Sequence, residues 1–281
     1  MLSDVVDVLA CPHCHRACST TRSGLRCEEG HHFDVARQGY VSLLTGRHSG
    51  HGGDTAGMVA DRADFLTAGH YAPIRDLVAT AAGSAVEPGR DGTCVVEVGA
   101  GTGYYLAGVL DRLAGSRGVA VDVSRYAARR AARCHPRAGA VVADAWAGLP
   151  VRDHAVDLVL DVFAPRNPAE MRRVLAADGV LLVVTPEDHH LAELVGPLGL
   201  VGVDSRKQER MDDQLGAHFR LVEREQVEFG LALGHADVRR LVGMGPSAHH
   251  VQGVEVSSWL AGRPEVVAVT GAVALSVYHP R

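Results

Sequence analysis

The sequence is short of positive charge and almost free of lysine. Its 28 basic residues include one lysine, Lys207, and 33 acidic residues outnumber them, which gives a formal net charge of −5. Proteins that bind nucleic acids usually carry a basic surface, so this composition alone predicts no RNA partner. Charge is nevertheless local, because residues 124–137 contain five arginines and no acid. This run is either a solvated helix face or a surface for an anionic partner.

Long apolar segments are also missing. No apolar run approaches the roughly 20 residues that span a bilayer, and the first residues lack the basic region and apolar core of a secretory signal. We therefore expect a cytoplasmic protein with no membrane partner. Hydrophobic residues make up 47% and charged residues 22% of the 281 positions, which is typical of a globular chain with one α/β domain and a small appendage.

Cysteines are few and unevenly distributed. Four of the six lie within the first 27 residues, whereas Cys94 and Cys134 are isolated. In a cytoplasmic chain this clustering indicates a metal site rather than disulfides. The two isolated cysteines are expected to be buried among apolar neighbours.

The cysteine cluster has the spacing of a zinc site. The pattern Cys-x2-Cys-x12-Cys-x3-His is formed by Cys11, Cys14, Cys27 and His31. Zinc prefers four thiolate or imidazole ligands in a tetrahedron, and residues 19–24 are expected to form a hairpin turn between the two halves of the site. Cys18 and His32 are alternative ligands that fit the compact spacing less well. A site with four protein ligands has no position for water, so we expect this zinc to be structural.

An apolar strand that runs into glycines is the most informative feature of the chain. Residues 95–98 lead into a Gly-x-Gly-x-Gly turn made by Gly99, Gly101 and Gly103. Glycines let the backbone turn tightly and let a ligand approach the peptide groups at the start of the next helix. A dinucleotide fingerprint would need glycine at position 104, which is Tyr104. With Glu97 ahead of the glycines, the pattern resembles motif I of class I S-adenosylmethionine methyltransferases.

Two further acids follow where a nucleoside cofactor would need them. Asp122 stands 19 residues after Gly103, at the end of an apolar run, where a carboxylate can accept hydrogen bonds from both hydroxyls of a ribose. Asp144 and Ala145 come after the third predicted strand and are expected at the adenine edge. Glu97 and the glycine turn are expected near the amino-acid end. A glycine-rich turn in some other α/β protein is the alternative interpretation.

The coarse pattern predicts a doubly wound α/β sheet. Strands are predicted over 93–98, 119–121, 140–142, 156–160, 180–184, 219–229 and 266–277, the last two forming an antiparallel end. Helices are expected over residues 55–67, capped by Asp54 or Thr55, and over residues 74–82. Residues 198–217 are polar and irregular, and are either a substrate-facing lid or an ordinary surface loop.

Ordered blocks along nearly the whole chain carry a more specific resemblance. Besides the Cys-Pro-x-Cys knuckle and the glycine turn, they are residues 27–34, 39–41, 53–56, 65–71, 126–132, 164–165, 185–186 and 244–248. Together they resemble the bacterial 23S rRNA (guanine-N1)-methyltransferase family. The branch that confers resistance to macrolides such as tylosin or mycinamicin is the nearest by analogy.

This resemblance implies a fold, an activity and a domain division. The fold class is α/β, a class I Rossmann-like S-adenosylmethionine methyltransferase with a small N-terminal zinc-binding domain. The activity is methyl transfer from S-adenosylmethionine to N1 of a guanosine in hairpin 35 of 23S rRNA, with macrolide resistance as its consequence. The expected divisions are a zinc-binding RNA-recognition domain at 1–45, a linker with helices at 46–92 and the methyltransferase domain at 93–281. Whether the chain forms a homodimer is left open.

The resemblance also assigns residues to the cofactor and the RNA. Beside the cofactor it places Tyr71, Tyr105, Leu106 and His190. The zinc domain would hold the rRNA hairpin by its shape and phosphates, through Arg16, Arg22, Arg26 and Arg37.

The segment after the fourth predicted strand is where class I enzymes place their target nucleotide. Methylation of guanine N1 needs removal of the ring proton, and Asp161 is the candidate base. Phe163 is expected to stack on the extruded guanine, or else to pack in the core.

Two other functions remain open from the sequence alone. One is a methyltransferase that acts on a small natural product, which suits the acidic charge but gives the zinc domain no task. The other is a zinc-ribbon binding protein that uses the methyltransferase fold as a scaffold, against which the intact glycine motif and Asp122 argue.

Overall fold

The computed structural model of the protein describes residues 1–46, 53–87, 92–202, 212–250 and 253–281. It contains a three-stranded sheet near the N-terminus and an eight-stranded sheet that forms the main body. The predicted α/β class is confirmed.

The three-stranded sheet is an antiparallel meander in the order β1-β2-β3. Its strands are β1 (Cys18–Thr20), β2 (Gly24–Cys27) and β3 (His32–Asp34). The turn predicted over residues 19–24 lies between β1 and β2, as expected. Two 3-10 turns, Leu2–Asp4 and Val6–Val8, precede this sheet, and Val8 and Leu9 are buried against the main body.

The main sheet contains every strand predicted after residue 92. Its strands are β4 (Tyr40–Ser42), β5 (Cys94–Val98), β6 (Arg117–Asp122), β7 (Ala138–Val142), β8 (Val156–Val162), β9 (Leu175–Pro186), β10 (Phe219–Gly234) and β11 (Val266–Pro280). Their order is β10-β11-β9-β8-β5-β6-β7-β4. Strand β11 is antiparallel to both neighbours, and the remaining neighbours pair in parallel. The predicted antiparallel end is therefore confirmed.

Strand β4 shows how the N-terminal segment joins the body. Tyr40, Val41 and Ser42 pair in parallel with Ala140, Val141 and Val142 of β7 at the sheet edge. The boundary between the two sheets thus lies between β3 and β4, ahead of the domain boundary predicted at residue 45.

Helices flank the main sheet. They are α1 (Ala56–Thr67), α2 (Ala72–Ala85), α3 (Tyr104–Arg112), α4 (Arg125–Ala131), α5 (Pro168–Val174), α6 (Ala192–Leu198), α7 (His235–Gly243) and α8 (Gly253–Ala261). Both helices predicted before residue 92 are present. Helix α1 begins as expected, because the Thr55 hydroxyl accepts a hydrogen bond from the Met58 backbone N–H at 3.3 Å.

Alternation along the strands divides the core into two layers. Val95 of β5 packs in a cluster with α1, α2 and α3, whereas Val96 and Val98 pack in a second cluster with α5 and the N-terminal residues. Glu97 shares the Val95 side of the strand and is 1% exposed. A buried carboxyl among apolar side chains needs a specific partner.

The strand order places a crevice at one end of the sheet. The chain leaves β5 for β6 on one side, while β8 lies on the other side of β5. Ligands of doubly wound sheets bind outside the carboxyl ends of strands at such a reversal. The glycine turn follows β5 at this point.

No helix in the described part of the chain is long and apolar enough to cross a membrane. Within the predicted lid or loop at 198–217, residues 203–211 lie outside the described residues.

Candidate active site and zinc centre

The three glycines after β5 all adopt the left-handed region that favours glycine. Their φ angles are +64° at Gly99, +54° at Gly101 and +77° at Gly103. A Cβ at Gly99 would lie 2.6 Å from the Ala164 Cβ, and one at Gly103 would lie 2.6 Å from the Cys134 Sγ. Gly99 therefore permits close approach of the segment after β8, and Gly103 permits close packing of the start of α3.

Asp122 holds the glycine turn in place. Its Oδ2 accepts a hydrogen bond from Gly101 N at 2.8 Å, and its Oδ1 accepts one from Ser124 N at 2.8 Å. Burial raises the pKa of Asp122, although both backbone N–H groups favour the charged form. Each carboxylate oxygen accepts more than one hydrogen bond, so the side chain retains capacity for ribose hydroxyls.

Glu97 lies beneath the same turn. Its Oε2 accepts a hydrogen bond from Leu106 N at 3.1 Å, which ties β5 to the first turn of α3. Burial raises the pKa of Glu97 to about 8. The Leu106 side chain is fully buried in the core, so only its backbone N–H takes part in this arrangement.

Two cavities meet at the turn. The larger, of about 250 Å³, is bordered by Gly99, Gly101, Asp122, Asp144 and Ala145. The smaller, of about 50 Å³, is bordered by Tyr71 and Tyr105 and shares four residues with the larger one. These shared residues are Arg62, Gly99, Gly101 and Phe163. The structure thus brings most predicted cofactor residues to one crevice.

The far end of the larger cavity has a residue that sequence reasoning missed. Asp144 Oδ1 accepts a hydrogen bond from Trp146 N at 3.0 Å, and the Trp146 ring is 51% exposed while bordering the cavity. An exposed aromatic ring beside a carboxylate can flank a planar purine. Its position two residues after Asp144 was the only sequence signal.

Tyr71 borders the smaller cavity, and His190 packs against Tyr71. The Tyr71 hydroxyl lies 3.2 Å from His190 Nε2, and His190 Nδ1 accepts a hydrogen bond from Ala272 N at 3.0 Å. Burial lowers the pKa of His190 to about 4. His190 is therefore neutral, and it reaches the site through Tyr71.

Phe163 follows β8 in a strained conformation. Its φ is +55°, unusual for a bulky residue, and its ring is 38% exposed. The ring lies 6.2 Å from that of Tyr71. Phe163 thus faces both cavities and does not pack in the core.

Asp161 is not exposed at the surface of the site, where a general base would meet the substrate directly. It is fully buried, and its Oδ1 accepts a hydrogen bond from Arg166 Nε at 3.1 Å. Oδ2 is buried without a hydrogen-bond partner. Burial raises the pKa of Asp161 to about 7, against the opposing effects of Arg166 and of the Ala164 backbone N–H. The carboxyl lies behind Phe163 and the segment after it, so its role as a base stays a prediction.

The predicted zinc ligands come together in a compact group. One donor atom from each of Cys11, Cys14, Cys27 and His31 lies within 4.8 Å of the others. The Cys14 and Cys27 sulfurs are 3.6 Å apart, and His31 Nδ1 lies 3.3 Å from the Cys27 sulfur. Zn–S bonds of about 2.3 Å in a tetrahedron give sulfur separations of about 3.8 Å. The group fits zinc.

The two alternative ligands lie outside this group. Cys18 is buried beside Cys11 and Cys27, and His32 Nδ1 lies 3.5 Å from Asp34 Oδ1. Of the isolated cysteines, Cys94 is buried as expected and Cys134 is half-buried against Gly103.

Comparison with known proteins agrees with both centres. Residues 9–49 match the family model of the RlmA N-terminal zinc ribbon, and residues 95–179 match a methyltransferase domain. A Streptomyces fradiae protein named 23S rRNA (guanine(748)-N(1))-methyltransferase is 47% identical over 280 residues, covering 100% of this chain and 99% of its own.

A candidate 23S rRNA (guanine-N(1)-)-methyltransferase from Micromonospora griseorubida is 48% identical over 295 residues, covering both chains completely. This chain belongs to the 23S rRNA (guanine-N1)-methyltransferase family. A further candidate member from Bacillus subtilis is 30% identical over 190 residues, 66% of each chain. The chain is thus an S-adenosylmethionine-dependent methyltransferase with a zinc ribbon, as the sequence motifs predicted.

The crevice fits the cofactor of this family. S-Adenosylmethionine has an adenosine, a sulfonium and an amino-acid end. Asp122 and Asp144 offer acceptors for the hydroxyls and amino group of the nucleoside, and Gly101 leaves the turn open, since a Cβ there would project toward Arg62. Arg62, which sequence reasoning also missed, has its buried Nε without a partner, as expected where an acceptor is to be bound.

Proposed function

We propose that this enzyme methylates N1 of a guanosine in hairpin 35 of 23S rRNA, at the position equivalent to that named for the Streptomyces fradiae relative. The observation that carries the proposal is the full-length match to that relative at 47% identity. A shared domain would support methyl transfer alone, whereas a match including the zinc ribbon supports the same RNA substrate. We also propose that the product reduces macrolide binding, and that the enzyme acts in the cytoplasm, as a monomer or homodimer.

The bound cofactor supplies an electrophilic methyl group, and the chain must orient the guanine. Phe163 stands at the carboxyl end of β8, exposed and facing both cavities. Its left-handed backbone costs about 1 to 3 kcal/mol, a strain typical of residues held for function. Phe163 stacks on the guanine after it has left its helix.

Asp161 takes the N1 proton in this proposal. The pKa of about 7 and the unpartnered Oδ2 suit a general base at neutral pH. Because Asp161 is fully buried, the segment of residues 163–165 has to shift when the guanine enters. The Arg166 guanidinium then keeps the carboxylate oriented through Oδ1.

The zinc ribbon holds the RNA. Arg16, Arg22, Arg26 and Arg37 are all exposed, although Arg16 Nε lies 4.0 Å from Glu29 Oε1. Phosphate contacts by such side chains position an RNA without reading its sequence. Residues 1–45 contain five acids beside these four arginines, so the phosphate contacts are made by individual side chains and not by a uniformly basic surface.

Reverse transcription of 23S rRNA tests the proposal, because N1-methylguanine blocks Watson–Crick pairing. Expression in a susceptible bacterium without its own enzyme should introduce one new stop in hairpin 35. Gly101→Val should remove the stop, since a side chain there fills the cofactor turn. Absence of a stop, together with methyl transfer to a small metabolite, would favour the natural-product alternative.

A further inference from the structure

Arg62 extends from α1 across the glycine turn. A Cβ at Gly101 would lie 3.3 Å from Arg62 Cδ and 3.8 Å from Arg62 Nε. Arg62 also borders both cavities of the crevice. The guanidinium is therefore at the junction between the nucleoside side and the side closed by Tyr71.

The guanidinium is held firmly at one end only. Its Nη2 donates hydrogen bonds to Asp54 Oδ2 at 2.6 Å and to the Met244 carbonyl oxygen at 2.8 Å. Its Nε is buried and has no hydrogen-bond partner. A buried donor without an acceptor destabilises the folded protein. A ligand acceptor at Nε would remove this cost.

Charge in the crevice indicates which acceptor belongs there. Among the described residues that border the two cavities, Arg62 is the one cation, and Asp54, Asp122 and Asp144 are acids. The amino-acid end of S-adenosylmethionine carries a carboxylate, for which Arg62 is the one cationic partner among these described residues. Arginine is well suited to a carboxylate, because its planar donors match carboxylate oxygens.

We propose that Arg62 binds the carboxylate at the amino-acid end of S-adenosylmethionine. Asp54 acts as a positioning residue that orients the guanidinium, and Gly101 keeps the approach to Arg62 open. This inference rests on the assigned cofactor and is independent of which RNA position is methylated.

Calorimetric binding of two ligands tests the role of Arg62. Decarboxylated S-adenosylmethionine lacks only the carboxylate, so the ratio of the two dissociation constants isolates that group. Arg62→Gln should weaken S-adenosylmethionine by about tenfold to a hundredfold and leave decarboxylated S-adenosylmethionine within about threefold. Arg62→Lys should lose less than Arg62→Gln, since it retains the charge.

Two matched variants separate this role from a structural one. Arg75→Gln removes another arginine, which pairs with Asp76 outside the two cavities, and should change neither affinity. Asp54→Asn loosens the contact that orients the guanidinium, so the preference for the carboxylated ligand should fall, by less than in Arg62→Gln. Thermal melting of each variant shows whether it is folded.

Equal losses for both ligands in folded Arg62→Gln and Arg62→Lys would overturn the proposal, because Arg62 would then act only on the turn. Unchanged binding of both ligands would overturn it as well. Failure of the unmutated protein to bind either ligand would instead contradict the cofactor assignment.

Discussion

The hydroxyl oxygen of Tyr71 lies 3.2 Å from Nε2 of His190, although 119 positions separate the two residues. Since Ala272 N donates to His190 Nδ1, the imidazole carries its hydrogen on Nε2 and donates it to Tyr71. The hydrogen of the Tyr71 hydroxyl is then available to another acceptor. A second proton on Nδ1 would face the Ala272 N–H. This repulsion disfavours the protonated imidazole, as burial also does.

The neutral state of His190 predicts a loss of stability in weak acid. Its folded pKa of about 4 lies below the usual value near 6.5. Between these values the unfolded chain binds more protons, so stability falls as pH decreases. From pH 7 to pH 5, the unmutated protein should lose about 1 to 2 kcal/mol more than His190→Asn, measured by urea unfolding.

The adjacent histidine is the control. His189 is 55% exposed beside Glu228, so His189→Asn should lose as much stability as the unmutated protein over the same range. An equal loss in His190→Asn would show that His190 does not titrate in this window.

The zinc centre predicts a local effect of ligand loss. Cys27→Ser should release the metal and expose the amides of β1, β2 and β3 to hydrogen exchange, because the metal supplies much of the stability of this small segment. Cofactor affinity should be retained, since Val8 and Leu9 dock on the main body independently of the ligands. Cys18→Ser should keep full metal content by mass spectrometry. Retention of zinc in Cys27→Ser but not Cys18→Ser would reverse the ligand choice.

Asp122 is predicted to contribute to both the turn and the ribose. Asp122→Ala should weaken S-adenosylhomocysteine by about tenfold to a hundredfold, corresponding to roughly 1.5 to 3 kcal/mol. A 2′-deoxyribose analogue of this ligand separates the two contributions. The unmutated protein should prefer the ribose form, and Asp122→Ala should not. If that preference survives in Asp122→Ala, the carboxylate only holds Gly101 and Ser124.

Local patterns explain which parts of the site could be predicted. Gly99 follows β5 and Asp122 ends β6, so their meeting at the carboxyl ends of the strands follows from the alternation of strands and helices. The zinc ligands were identifiable because their residue types and spacing suit one metal. Both signals are contained in short segments.

Packing between distant segments explains what was missed. Arg62 reaches the glycine turn because α1 packs beside it, and the partner Met244 is 182 positions away. The pairing of β4 with β7 joins the N-terminal segment to the main sheet, which no pattern in residues 40–42 indicates. Asp161 lies inside β8, which extends to Val162 and not only to residue 160 as predicted, and Arg166 folds back to pair with its carboxyl.

Asp161 as the base predicts a pH-dependent rate. Single-turnover methyl transfer should rise with pH through about 7, since the unprotonated carboxyl accepts the N1 proton. Asp161→Asn should lower this rate by about a hundredfold or more and leave cofactor affinity unchanged. Thermal melting of Asp161→Asn checks that the variant is folded although its pairing with Arg166 is altered. A rate independent of pH, or an unchanged rate in Asp161→Asn, would remove Asp161 from the chemistry.

Arginines of the zinc ribbon are predicted to bind rRNA phosphates. Arg22 lies in the turn between β1 and β2, Arg26 lies in β2, and both are exposed, so replacing both by alanine removes charge and keeps all four zinc ligands. The slope of log affinity against log salt should become shallower by roughly 0.7 to 0.9 for each phosphate that is no longer neutralised. Replacement of Arg220 and Arg239, exposed on β10 and α7, is the matched control and should leave the slope unchanged. Filter binding to a hairpin 35 transcript measures both pairs, and calorimetry should show the same cofactor affinity in each. Equal changes in slope for the two pairs would contradict the prediction. They would show that RNA affinity depends on the overall charge of the protein, because only a localised interaction depends on the position of the arginines.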